Sequence, residues 1–82
     1  MNKQEIQEEK DIRDIQRIND LFCMLLRKRK NLSVIDVILA IQYTRKYTLD
    51  RYPQKEELYN MIYRSRFVRI IDEHNLFNKI MN

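Results

Sequence analysis

The chain contains no glycine and no tryptophan, and only one proline, one cysteine, one histidine and one alanine in 82 residues. Each shortage removes a class of structure. Tight two-residue hairpins and glycine-rich phosphate loops depend on residues that adopt positive φ at little cost, so a multi-strand sheet or a nucleotide-cradling βαβ unit is not expected. A lone Cys23 forms no internal disulfide and suits a reducing compartment. The longest apolar run, LSVIDVILAI (32–41), is half the length of a bilayer span and contains Asp36, so no membrane partner is expected. The opening MNKQEIQEEK is polar where a secretory signal would be apolar, which points to an intracellular, cytoplasmic protein, or to the host interior if it is viral. Abundant Ile, Asn, Lys and Tyr match an AT-rich coding sequence such as that of a phage or virus.

Catalytic groups are scarce too. Cys23 and His74 are single and far apart in sequence, and Cys23 borders an apolar stripe, as an inert buried thiol would. The run Asp72-Glu73-His74 offers metal-ligand types, but adjacent helical side chains diverge. The expectation is no enzyme, no metal and no cofactor.

What remains is a chain built for helix. The expected fold is all-α: one domain over 1–82, a small bundle of four to five helices, with 1–10 as a frayed polar leader. Charge is uneven. Residues 1–20 carry four basic and six acidic side chains, and residues 21–82 carry twelve and six. A basic body behind an acidic leader fits either attraction to a polyanion or a merely solvated surface.

The first helix should run to about residue 30, with Ile12, Ile15, Ile18, Leu21, Phe22, Leu25 and Leu26 at three- and four-residue steps. In heptad register Ile12, Ile15, Asn19, Phe22 and Leu26 form an a/d seam, the expected dimer interface, with Asn19 setting its register. An intramolecular bundle helix is the alternative. Arg27, Lys28, Arg29 and Lys30 end it, either to contact phosphates or to complement the helix dipole.

Ser33 with Asp36 three residues on predicts a capped helix from 34 to about 47. Val34, Ile35, Val37, Ile38, Leu39 and Ile41 leave it little polar surface, so it is expected to be buried on most sides as the central core element. Pro53 suits the first position of the next helix, with Glu56 and Glu57 in its first turn.

From there the apolar pattern divides. At about 100° per residue from Leu58, Met61, Ile62 and Ser65 share a face near zero, but Arg69 also lands there. Phe67, Ile70 and Ile71 fall almost opposite. A break between Tyr63 and Arg66, with Ser65 capping a new helix to about His74, resolves the conflict; one continuous helix buried between neighbours is the rival. A short terminal helix with Leu76, Phe77 and Ile80 follows. The string Glu57-Leu58, Ile62, Ser65-Arg66, Val68-Arg69-Ile70-Ile71-Asp72-Glu73 resembles a helix-turn-helix segment of regulators, within residues 54–74. That resemblance implies DNA binding by the helix 65–74. Arg64 and Arg66 flank its N-terminus, where cations are disfavoured unless a phosphate arrives.

The leading expectation is therefore a non-enzymatic DNA-binding regulator contacting double-stranded DNA through Arg27, Lys28, Arg29, Lys30, Arg64, Arg66 and Arg69. The rival is a helical protein-interaction module, an adaptor or inhibitor, acting as a homodimer or on another protein. Five tyrosines (43, 47, 52, 59 and 63) interleave with arginines, a pattern that suits base stacking or, more simply, the half-wet edge of a core.

Overall fold

The computed structural model describes residues 3–76 and is all-helical, with three helices among them: α1 (Lys3–Arg27), α2 (Val34–Arg51) and α3 (Glu56–Glu73). Three rather than four to five elements are present. Arg29 reaches Asp36 and Arg51 reaches Asp14, so α2 runs antiparallel to α1. Arg66 meets Asp20 and Arg27 meets Glu73, so α3 runs parallel to α1. The result is an elongated up-down-up bundle of 51 × 19 × 15 Å.

The stretch expected to be a frayed polar leader is helical from Lys3 on. Residues 3–10 form the first turns of α1, all exposed, with Glu5 in the first turn and Gln7 donating to Asp11 at 3.0 Å. At about 1.5 Å per residue this overhang projects roughly 12 Å past the bundle. The seam expected to pair two chains faces inward instead. Ile15, Asn19 and Leu26 are buried against α2 and α3, with Ile12 and Phe22 half-buried. Asn19 is wholly enclosed and donates Nδ2 to the Ile15 carbonyl at 2.8 Å. A three-helix bundle needs one broad stripe on each member, and this is the stripe α1 uses.

α2 starts as the sequence indicates. Ser33 Oγ accepts from the Asp36 amide at 3.3 Å, and the Asp36 carboxylate accepts from the Ser33 amide at 3.0 Å, a reciprocal capping box. These bonds hold the Asp36 carboxyl below its usual range. Ser33→Ala should lose about 1 kcal/mol in chemical unfolding, with unchanged helicity in water. No loss would mean that the cap is not formed in solution. The remainder of α2 departs from expectation. Only Val37, Ala40, Thr44 and Thr48 are fully buried, whereas Ile35, Ile38, Leu39 and Tyr43 are exposed. Two neighbours cannot surround a helix that is apolar on all sides.

Pro53 lies in the connection rather than at the first helical position. The Tyr52 amide closes on the Thr48 carbonyl at 2.7 Å, the Lys55 amide on Tyr52 at 3.0 Å, and α3 opens at Glu56 with Glu57 beside it.

α3 then continues through 63–66 without a turn. Its buried stripe is Tyr59, Ile62, Phe67 and Ile70, with Tyr63, Arg66 and Ile71 half-buried. Measured from Tyr59, these fall within roughly 300° to 120°, centred near 20°, so one straight helix satisfies them all. The apparent conflict arises from counting Met61 as an inward residue; it is 70% exposed. Ser65 caps nothing, and its Oγ donates to the Ile62 carbonyl at 2.9 Å. The helix-turn-helix reading is therefore corrected to a single helix.

At the end of α3, Asn75 takes φ 53°, the left-handed position that glycine usually fills. Leu76 follows, fully buried against Leu26, Leu32, Phe67 and Ile70. The chain thus makes an αL cap without glycine. Of the expected terminal helix, Phe77 and Ile80 lie outside the described residues. A second cluster, Ile15, Tyr59 and Ile62, closes the other end of the bundle.

Candidate interaction surfaces

Helix packing sorts the surface into two unlike faces. The outer side of the α1–α2 hairpin is apolar. Leu21 and Leu25 stand one turn apart on α1, and Ile35, Leu39 and Tyr43 stand at successive turns on α2. The groove between them, about 280 Å³, is lined by Phe22, Leu25, Leu39 and Tyr43, and ends at the Arg29–Asp36 pair. Tyr43 stacks on Phe22 with centroids 6.5 Å apart. Ile35 is 67% exposed, Tyr43 65%, Leu25 49% and Leu39 47%. With Leu21 and Ile38, this is on the order of 600 Å² of open apolar surface, at the upper limit for a typical monomer. Of the residues around this groove the sequence singles out Phe22, as part of the expected dimer seam, and Arg29, as an expected phosphate contact, but not Leu25, Ile35, Leu39 or Tyr43. The signal was there in the all-round apolar character of 34–41, which reads equally as burial within the chain or against a partner.

The opposite groove, between α1 and α3, is basic. About 400 Å³ is lined by Asp20, Cys23, Arg27, Ser65, Arg66 and Arg69. The Arg27 guanidinium binds Glu73 through two bonds, Nε to Oε2 at 3.0 Å and Nη2 to Oε1 at 3.1 Å. That fork holds the Glu73 carboxyl below its usual range and raises Arg27. Arg66 donates from Nε to Asp20 at 3.2 Å and from Nη1 to Ser65 at 2.7 Å. Arg69 joins the same groove and makes no ion pair among the described residues. Cys23 is buried at this groove, and burial pushes its thiol up to about 11, far from a thiolate nucleophile at neutral pH. A neighbouring depression on α1 adds Arg13 and Arg17.

The seven residues expected to bind nucleic acid are thus divided. Arg27, Arg66 and Arg69 converge. Arg64 is exposed elsewhere on α3, Arg29 pairs with Asp36 at 3.4 Å, and Lys28 and Lys30 extend from the exposed turn. Two of the three convergent arginines are already engaged by carboxylates.

Four of the five tyrosines are committed to the bundle. Tyr59 OH donates to the Ile41 carbonyl at 2.6 Å and meets Thr44 Oγ1 at 2.7 Å, and its burial raises its pKa. Tyr63 stacks on Tyr59 at 5.1 Å, and Tyr47 lies under Arg51 at 4.5 Å. Tyr52 donates to Asp14 at 2.6 Å, which pushes the phenol up to about 12. Tyr43 alone is widely open. Among the described residues no group of three metal-ligating side chains is found, and no helix is long and apolar enough to cross a membrane.

The lowered carboxyls of Glu73 and Asp36 set a pH dependence. In the unfolded chain both return to higher values, so their stabilising contribution is complete at neutral pH and is lost as pH falls through the native values. Unfolding midpoints in denaturant should fall on acidification from neutral pH, and the decline should be shallower in Glu73→Gln. An identical pH profile for that variant would remove Glu73 from the account.

No protein-family model, curated protein or solved structure matches the chain.

Proposed function

We propose that the protein is a non-enzymatic helical interaction module that acts by docking the outer face of its α1–α2 hairpin on a protein surface. The observation that carries this reading is the ladder of Ile35, Leu39 and Tyr43 beside Leu21 and Leu25. Water-facing side chains of this size at three successive turns of α2 and two of α1 are costly for a monomer and useful at an interface, where aromatic and aliphatic anchors supply most of the binding energy. The surrounding Arg29, Asp36, Gln42 and Lys46 make a polar rim of the kind that borders such cores.

A photo-crosslinking amino acid at position 43 tests it, in extract of cells that make the protein. Discrete adducts are expected from position 43 and none from position 61, which is equally exposed on α3. No adduct at 43 would sink the reading.

A second reading, nucleic-acid binding, is favoured by the convergence of Arg27, Arg66 and Arg69 in one groove that Arg13 and Arg17 extend. It requires no helix-turn-helix: a phosphate backbone lying along the α1–α3 groove would meet guanidiniums from both helices. Binding of a labelled duplex should then weaken log-linearly with salt, and Arg69→Glu should reduce it without changing the fold. A duplex that does not bind at low salt ends this reading and leaves the first untouched.

A further inference from the structure

We infer that the bundle interior is a binding site for one water molecule, which bridges Asn19 Oδ1 of α1 to Thr48 Oγ1 of α2 and ties the two helices to a single register. This goes beyond the interaction reading and does not depend on it.

The apolar core is interrupted. One cluster, built on Ile15, Tyr59 and Ile62, closes one end of the bundle, and a second, which includes Cys23, Ala40, Phe67 and Ile70, fills the other. Between them runs a polar layer. On α1, Asn19 stands between Ile15 and Cys23. On α2, Thr44 and Thr48 stand between Ala40 and Tyr52, which packs on the first cluster. All three polar side chains are wholly buried. Thr44 is satisfied, since its Oγ1 lies 2.7 Å from Tyr59 OH and donates to the Ile41 carbonyl at 3.0 Å. The other two are not: Asn19 Oδ1 and Thr48 Oγ1 meet no hydrogen-bond partner among the described residues. Turning the Asn19 amide over would not help. Its Nδ2 donates to the Ile15 carbonyl at 2.8 Å, and that carbonyl can only accept.

The two atoms belong to one site. The Asp14–Arg51 and Arg29–Asp36 pairs set the register of the antiparallel helices and put Asn19 level with Lys46, which is about 3 Å along the axis from Thr48. Helical side chains lean toward their own N-terminus, so on antiparallel neighbours Asn19 and Thr48 lean toward each other's level. They do not bond directly. A water meets the needs of both: it donates to Asn19 Oδ1, which can only accept, and donates to or accepts from Thr48 Oγ1. Two protein partners suffice to hold a buried water, and a buried acceptor left unmade costs more than a made bond gains. Slipping α1 by one turn would carry Asn19 away from Thr48 and against one of the apolar clusters, so the bridge favours the observed register.

Water-selective nuclear Overhauser spectra of the full chain give the test. Cross-peaks from a long-lived water to the Asn19 side-chain amide and the Thr48 methyl are expected in the wild type. Thr48→Val, which keeps the shape and removes the hydroxyl, should abolish the peak at Asn19. The same variant should lower the thermal midpoint by roughly 5 °C, the change expected for one net hydrogen bond in a domain of this length, because Asn19 Oδ1 is then stranded. Asn19→Leu should lower it likewise by stranding Thr48. The double variant expels the water and leaves two apolar side chains facing, so it should melt no lower than either single one. Two dry and independent groups would behave in the opposite way: each single substitution would raise the midpoint, and the two effects would add. That result overturns the inference, as does a wild-type spectrum without either cross-peak. Should Asn19→Leu fail to fold, the wild-type spectrum and Thr48→Val decide the matter between them. Crosslinking at position 43 reads the α1–α2 face separately, so either idea can fall without the other.

Discussion

Replacing Arg66 with proline should destabilise the protein by about 3 kcal/mol or more, whereas Arg66→Ala should cost at most about 1 kcal/mol. Position 66 lies in the middle of α3, where its amide donates to the preceding turn at Ile62. Proline removes that donor, and its ring collides with the same carbonyl. The resulting kink would fall between the anchors of the two core clusters, Ile62 on one side and Phe67 and Ile70 on the other. The alanine variant isolates the part due to the half-exposed pair with Asp20. The contrast is decisive for the architecture. If Ser65 capped a separate helix, Arg66 would be its first residue, the position where proline is best tolerated. Chemical unfolding followed by circular dichroism measures both variants. A proline variant as stable as the alanine one would reinstate a turn at 63–66.

Tyr59→Ala should cost about 3–5 kcal/mol, a large share of the roughly 4–12 kcal/mol that a domain of this length possesses. Tyr59 is the largest fully buried side chain and fills the end of the bundle with Ile15 and Ile62. Truncation leaves a cavity that the helices can only partly close. It also removes the phenol that bonds the Ile41 carbonyl and Thr44 Oγ1 across to α2. Thr44 Oγ1 lies 3.0 Å from the same carbonyl and can donate to it, so one bond survives. Tyr59→Phe separates the terms: it keeps the ring and should lose only about 1 kcal/mol. Thermal unfolding should show the difference, at roughly 4–8 °C for each kcal/mol. Equal losses in the two variants would place the stabilisation in the hydroxyl rather than in packing.

The misreading of α3 was a matter of anchoring. Leu58 and Met61 look like core residues by type, whereas the inward row begins at Tyr59, whose ring and hydroxyl both find partners within the bundle. A single amphipathic helix has two candidate zero points when apolar side chains occur on both faces. Only the neighbouring helices decide between them. The stripe on α1 is ambiguous for a related reason. A stripe of Ile15, Asn19 and Leu26 says that α1 packs against something apolar, and α2 and α3 of the same chain are as apolar as another α1.

What the sequence determined by itself was local. The absence of glycine and the single proline, together with the helical periodicity, dictated an all-helical chain. Ser33 and Asp36 marked the start of α2 to the residue, because a capping box is built from bonds within three residues. Glu56 and Glu57 marked the first turn of α3 in the same way. Tertiary structure alone decided what is non-local: that Arg27 meets Glu73 and Arg66 meets Asp20, forty-six residues away in each case, and that three arginines therefore share a groove. It also decided that Ile35, Leu39 and Tyr43 remain outside. Hydropathy records that a side chain avoids water, but only the number and placement of neighbouring helices determines whether its own chain can cover it. Here two neighbours cover one side of α2, and the other side stays exposed.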